Sequence, residues 1–430
     1  MKYYTEETHD IPISYEVDVL VVGSGPAGIG AAIRAGRLGA KTMIIETQGC
    51  LGGISTAGMM SHWGGISSSK VYKEILQRGA ACNENLGEAQ FANKITNAIN
   101  HEKLKLLMFD LLKEANVEVL LYTFACDSVV KKGKIIGVII ENKTGRSMIS
   151  AKAVIDATGD GDIAAKSGVP FTLGRETDNK MQPCTHMFKL GGVDVANAVF
   201  PGSFETQVQT EKGELQTLAK ELLPFPAGHV LLYTTTLPGI VCCNMTNCIE
   251  IDGTKAEDLT KGTYVCYSQM DKIVKFLQEY VPGYSECFIV SAASLLGIRE
   301  TRHFKGKYRI DTDDILEAKF HDDWVVREAF FNFDVHNLTG PSLDKTGVQH
   351  GWNQKGTYTI PYGCLLPENV EGLLLSGRNI SGSHMAHSNF RIMTVCMAIG
   401  EAAGAAAFLS SKSNRKLSEI QASEIQQLVS

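Results

Sequence analysis

Three stretches of this 430-residue chain set chemically able residue types at informative spacings. The first is Gly23-Ser24-Gly25-Pro26-Ala27-Gly28, a G-x-G-x-x-G that directly follows the apolar run DVLVV. Gly23 permits a tight turn, Gly25 lets backbone approach a pyrophosphate, and Gly28 lets a following helix lie close on the strand. Pro26 and Ala27 would open that helix, whose free N–H groups and partial positive charge suit phosphate. Glu46 ends the next apolar run, where its carboxylate can accept hydrogen bonds from an adenosine ribose and repel a 2′-phosphate. The motif alone could be a glycine loop with no ligand, but with strand, helix and Glu46 in register it reads as a dinucleotide cradle. The second stretch, Gly-Ile-Arg299-Glu300-Thr301-Arg302-His303, is dense with charge. Either arginine could fork onto a substrate carboxylate, and the histidine could exchange a proton near neutral pH. The alternative is an ion-pair network of Arg299, Glu300 and Arg302 joining two domains. The third is Ser383-His384-Met385-Ala386-His387, where His384 is the candidate acid or base; a satisfied loop histidine is the plainer reading.

These residues need a scaffold. Residues 18–22 read as a buried parallel strand, 28–38 as an alanine-rich helix stopped by Gly39, and 41–46 as a second strand, one βαβ unit. Helical spacing of Leu104, Leu107, Met108, Leu111 and Leu112 predicts a helix within 93–116. Alternation over 117–153, with turns at Lys132-Gly133 and Thr144-Gly145, predicts a three-stranded antiparallel meander that runs into Ala157-Thr158-Gly159-Asp160. Residues 171–353 mix short strands and amphipathic helices. Two further strand-like runs fall within 358–376, and a small-residue helix over about 391–410 closes the pattern. The fold class is therefore α/β: a discontinuous Rossmann-like FAD/NAD(P)-binding domain from residues 1–170 and 355–430. A mixed α+β substrate or cap domain is inserted at 171–354.

A second glycine loop, Gly49-Cys50-Leu51-Gly52-Gly53-Ile54-Ser55-Thr56, would let a flavin ring and its ribityl chain pass close to backbone. Together with ATGDGD at 157–162 and Ser376-Gly377-Arg378-Asn379, it exceeds what a nicotinamide domain needs. In these motifs, and in GIRETRHFKGKY and SGRNISGSH…CMAIGEAAGAAA, the chain resembles FAD-dependent oxidoreductases of the glutathione-reductase-type fold. Within that group it is similar to the bacterial FAD-dependent oxidoreductase family distantly related to fumarate reductase flavoproteins. The resemblance covers about residues 17–409. It implies that Gly23, Gly25, Gly28 and Glu46 hold the ADP half of FAD, and that Gly52, Gly53, Ser55 and Thr56 line flavin and pyrophosphate. It further implies a second contact at Thr158, Gly159 and Asp160 and a third at Gly377 and Arg378. It gives the terminal helix a start near 388–391 aimed at the flavin N1–C2 edge, with Arg391 beside it. The plainer alternative is a buried alanine helix.

The expected activity is hydride exchange between flavin N5 and a small polar organic substrate, carboxylate-bearing where the arginines bind it. A diffusing or protein electron donor or acceptor completes the cycle. A flavin-carrying electron-transfer subunit, and a non-catalytic relic of the fold, stay open. Gln182, His186, Tyr358 and Tyr362 are weaker site candidates, and His321, His336 and His350 read as surface or packing residues. A net charge of −6 gives no nucleic-acid footprint. No run approaches the roughly 20 apolar residues of a membrane span, and the polar N-terminus lacks signal-peptide character, so a cytoplasmic protein is expected. Oligomerisation is left open. The eleven cysteines contain no C-x-x-C, and no H-x-x-x-H or H-E-x-x-H occurs, so neither a redox dithiol nor a metal site is signalled.

Overall fold

The computed structural model describes residues 2–7, 9–79, 97–204, 206–344 and 354–430. Its principal sheet begins with β1 (Ile13–Val22), followed by α1 (Pro26–Arg37) and β2 (Thr42–Ile45), with β1 and β2 parallel in the register Val19↔Thr42 to Val22↔Ile45. All four residues of β2 and the last four of β1 are buried, as expected of strands covered on both faces. Next come β3 (Glu118–Leu120), β4 (Phe124–Lys131), β5 (Lys134–Asn142) and β6 (Gly145–Asp156).

The run 117–130, expected as one strand of a meander, divides in two. β3 pairs parallel with β2, whereas β4, β5 and β6 form the antiparallel ribbon. The break falls at Tyr122, whose φ of 53° leaves the β region, and Glu46 N and Thr123 N bond across it to Leu120 O and Glu46 O. The helix expected within 93–116 occupies His101–Glu114, capped by Asn100; residues 93–96 lie outside the described set.

A smaller antiparallel sheet is made by β7 (Phe188–Gly191), β8 (Leu232–Thr234), β9 (Val241–Cys243) and β10 (Phe288–Ala292), in the order β8-β9-β7-β10. Helix α2 (Ala256–Tyr280) belongs to this part, whose hydrophobic core lies between Phe188 and Cys287. The main core takes in Phe304, Ile310, Ile315, Val325, Val326 and Phe333. The second core is therefore narrower than the stretch 171–354 expected to form an inserted domain.

The chain then returns to the main sheet through β11 (Leu373–Leu375), parallel to the C-terminal end of β6. Then come α3 (His384–Phe390) and α4 (Met393–Ser413), and a last helix, Ala422–Val429, follows them. Helix α4 crosses α1 at van der Waals range because glycines face backbone: a Cβ at Gly400 would collide with Ala27 O, and one at Gly404 with Ala31 O. Its length and apolar composition would also let it cross a bilayer, but it is buried against the sheet and α1.

Candidate active site

β1, β6 and β11 all run parallel and end side by side. Their C-terminal loops open on one cavity of about 720 Å³, the place where open α/β sheets bind ligands. The glycine turn forms one wall. Gly23 has φ +94°, and a Cβ there would sit 2.6 Å from Ala157 O, so only glycine fits. Gly28 is the packing glycine: an added Cβ would overlap Gly23 O, and it does not line the cavity. Gly25 differs from both. Its φ is −62° and an added Cβ meets nothing within 4 Å. The backbone there would accept a side chain, and the space that side chain would take is part of the cavity.

Pro26, Ala27, Glu46, Gly53, Thr158, Gly159, Asp160, Gly377, Arg378 and Arg391 line the same cavity. Glu46 Oε2 accepts from Ser24 N (2.9 Å) and Ser24 Oγ (2.7 Å), and Oε1 accepts from Gln48 N (2.9 Å), which fixes the carboxylate at the strand end. Arg378 donates to Asp160 Oδ1 at 2.7 Å, tying the loop after β11 to the loop after β6. Beneath them Asp156 is fully buried. Burial pushes its pKa up to about 6, although Thr158 and Ala164 N bond to it. Gly52, Ser55 and Thr56 shape the loop from behind. Gly52 has φ +104° and donates N–H to Ser24 O, while Ser55 Oγ and Thr56 Oγ1 bond to Gly52 O and Leu51 O.

The inner end of the cavity is polar and joins distant segments: Arg299, Asp334, His336 and Arg391, with His62, Tyr233 and Asn244. Arg391 Nη2 donates to Asp334 Oδ2 and Asp334 O, both at 2.8 Å. His336 Nε2 lies 3.4 Å from Asp334 Oδ1. Arg299 Nη1 donates to Pro183 O at 2.5 Å. Burial would raise the Asp334 pKa, but His336, Arg391 and Arg299 hold it well below the usual carboxylate range. Burial, then Arg391, lowers Arg299 to about 10, and burial with Arg299 lowers His336 to about 4. Burial lowers His62 to about 3 and raises Tyr233 to about 12. At neutral pH this wall carries two cations and one anion.

Of the four catalytic candidates, the structure brings only Arg299 to this wall. Arg302 turns the other way, donating at 2.8 Å to Asp160 O and Asp162 Oδ1 and lying over the Phe171 ring. His303 Nε2 (2.8 Å) and His384 Nδ1 (2.6 Å) both face Glu300 Oε1 in a buried cluster away from the cavity lining. Arg302 is ion-paired to Asp162, but Arg299, Glu300 and Arg302 form no network with one another among the described residues, and no sequence spacing signalled the trio of Glu300, His303 and His384. His336, read from sequence as surface or packing, is a cavity residue. Its partner Asp334 and the ring of His62 carry no local motif. Arg391 lines the cavity, but it caps the C-terminus of α3; the long helix starts at Met393, two residues later than expected. His321 bonds to Thr359 and Tyr308, Tyr358 to Asn389 and Tyr362 to Leu417 O, all away from the cavity. His186 stacks on Tyr267, and His350 lies outside the described residues.

A parallel sheet whose glycine turn, acidic strand end and two later loops share one cavity defines a dinucleotide-binding fold. The chain belongs to the FAD-dependent oxidoreductase family, whose model matches residues 18–429. FAD is therefore its cofactor, and the open space at Gly25 beside Glu46, Asp160 and Arg378 fits it. Two curated relatives match about a third of the chain. Thiamine thiazole synthase of Methanococcus maripaludis is 32% identical over 155 residues, 34% of this chain and 56% of that protein. Dihydrolipoyl dehydrogenase of Chlorobaculum tepidum is 32% identical over 157 residues, 34% of this chain and 31% of that one. The chain thus spans about half, or less, of the length of these relatives. Among solved structures, a geranylgeranyl bacteriochlorophyll reductase-like protein from Thermoplasma acidophilum aligns with a TM-score of 0.52 at 14% identity, covering 96% of this chain and 82% of that one. The p-nitrophenol 4-monooxygenase of Pseudomonas putida gives 0.51 at 11%, covering 96% and 84%. At such identity these likenesses speak for the fold alone.

Proposed function

We propose that this oxidoreductase acts on a small organic anion, with a carboxylate as the anionic group, held at the inner end of the cavity. The observation that carries the reading is the charge count there: Arg299 and Arg391 face the single carboxylate of Asp334. Arg391 spends Nη2 on Asp334, and its Nε is buried with no partner among the described residues. Among the described residues, Arg299 donates to Pro183 O alone. One arginine charge is therefore left for a ligand, in a desolvated place where an unpaired cation is costly and a bidentate carboxylate would offset that cost.

FAD, when bound, supplies the hydride-exchanging centre. Gly23, Gly25, Pro26, Ala27 and the start of α1 would hold its pyrophosphate, Glu46 its ribose, and Gly53, Thr158, Gly159, Asp160, Gly377 and Arg378 the remainder. Arg299 would orient the substrate by its carboxylate. His336 is neutral above pH 5. With Nε2–H turned to Asp334, its Nδ1 is the basic nitrogen able to hold the proton released with the hydride. His62, Tyr233 and Phe204 would close the wall against water.

The test is anaerobic photoreduction of the FAD-loaded protein, then reoxidation by a panel of unsaturated or 2-oxo carboxylates, neutral sugars and quinones. Carboxylates should reoxidise it fastest, and Arg299→Lys should slow them selectively. Reoxidation by quinones alone, unchanged in Arg299→Lys, would sink the reading. That outcome would favour an electron-transfer subunit, a role for which the exposed Phe288, Ile289 and Val290 of edge strand β10 would supply an apolar contact.

A further inference from the structure

We propose that Glu300, His303 and His384 bind one divalent first-row transition metal, zinc or iron(II), as a buried staple between the 299–303 segment and the start of α3. The three donor atoms lie within 4.8 Å of one another, and the side chains are 0–5% exposed. The decisive detail is the other nitrogen of His303. Nδ1 lies 3.2 Å from Gly382 O, a carbonyl that can only accept, so Nδ1 carries the hydrogen. A neutral His303 then turns the bare lone pair of Nε2 towards Glu300 Oε1 at 2.8 Å, with His384 Nδ1 at 2.6 Å from the same oxygen. Lone pairs face each other at that range only with a cation between them, a proton or a metal ion.

The surroundings favour the metal. Two imidazoles and a carboxylate are the donor set of zinc and of non-haem iron(II). An imidazole whose second nitrogen donates to a backbone carbonyl is how proteins orient metal-bound histidines. Glu300 is itself held, Oε2 accepting from Gln182 N at 3.1 Å. His387 packs edge-on against His303 at 5.1 Å, and its buried Nδ1 has no hydrogen-bond partner among the described residues. Ligation asks the donors to part to roughly 3.3 Å, the spacing that bonds of about 2.0–2.2 Å give at tetrahedral angles. The site is too enclosed for substrate. It fixes Glu300 and Gln182, the chain neighbours of Arg299 and of the Pro183 carbonyl that Arg299 binds, so its role is to hold one wall of the cavity. The proposal does not depend on what the substrate is.

The FAD-loaded protein, grown with zinc and iron and passed over a metal-free column, should retain about one zinc or iron per chain by elemental mass spectrometry, metal binding and folding being coupled. Glu300→Gln and His384→Asn should each remove it while the FAD-to-protein ratio stays constant. Should those variants not fold, the wild-type protein stripped with dipicolinate should lose several degrees in Tm. It should regain them with Co²⁺, and show the visible d–d bands of a nitrogen-and-oxygen site. Metal-free protein that takes up neither Zn²⁺ nor anaerobic Fe²⁺ would overturn the proposal and assign the cation as a proton. Metal retained in either variant, or a Tm indifferent to stripping, would overturn it equally.

Discussion

Two polar clusters stand on either side of one short segment, and their difference lies in how their charges are spent. Arg299 faces the cavity with Asp334, His336 and Arg391; Glu300, the next residue, faces the interior with His303 and His384. The interior carboxylate is held below its ordinary pKa, burial being outweighed by both histidines, and Gln182 N satisfies its second oxygen. The cavity cluster has more cation than anion and an open volume in front of it. A closed set of partners makes structure, whereas an excess of one charge beside empty space makes a binding site.

The comparison breaks most completely if the cavity is not ligand space. Gly25→Val leaves backbone geometry undisturbed and projects two methyl groups into the cavity, so the desalted protein should be almost free of flavin while its far-ultraviolet circular dichroism is unchanged. Ordinary FAD content on heat release would show that the pyrophosphate lies elsewhere. Acid should act next most strongly. His62, His229 and His336 have folded pKa values of about 3, 3 and 4, below their unfolded values. Their contribution is therefore full above about pH 6.5 and is lost as pH falls from there towards 4. With about 1.4 kcal/mol per pKa unit, each is worth up to about 3 kcal/mol. Tm measured from pH 7 to pH 4 should fall steeply, and less so in His336→Gln. A parallel descent in wild type and variant would remove His336 from the argument.

Arg299→Lys keeps the charge but loses the fork, and should cost about 1–3 kcal/mol of anion binding with FAD loading unchanged. Equal KM values in wild type and variant would leave the cavity cluster as mere structure. Arg391→Gln removes a positive charge from the same wall and should lower the flavin reduction potential modestly in potentiometry; an unmoved potential would confine Arg391 to holding Asp334. Arg302→Lys should be the mildest. Its partner Asp162 is half exposed, so Tm should reflect less than about 1 kcal/mol, and substrate kinetics should not change.

Backbone-determined features were legible because their causes are local. The glycines of 23–28, the apolar runs on either side and Glu46 lie within 30 residues, and strand–turn–helix geometry places them without outside help. The two later loops were legible for the same reason, each being a glycine turn at a strand end. The split of 117–130 was not, since alternation reports burial of a face and is silent on which neighbour a strand pairs with. Tyr122 turns where Glu46, from a neighbouring strand end, bonds both sides of the break.

What the sequence determined by itself is the strand–turn–helix unit with its acidic strand end, and the cofactor class. The tertiary structure alone decided which charges meet. Arg299 and Glu300 are adjacent, yet one lines the cavity and the other meets His303 and His384, and no composition reveals which of them finds the cavity. Their partners come from residues 334, 336 and 391 on one side and 384 on the other. Such convergence is set by how the sheet, the smaller core and the terminal helices pack, a long-range balance of apolar burial that leaves no local periodicity for His336 or Asp334 to display.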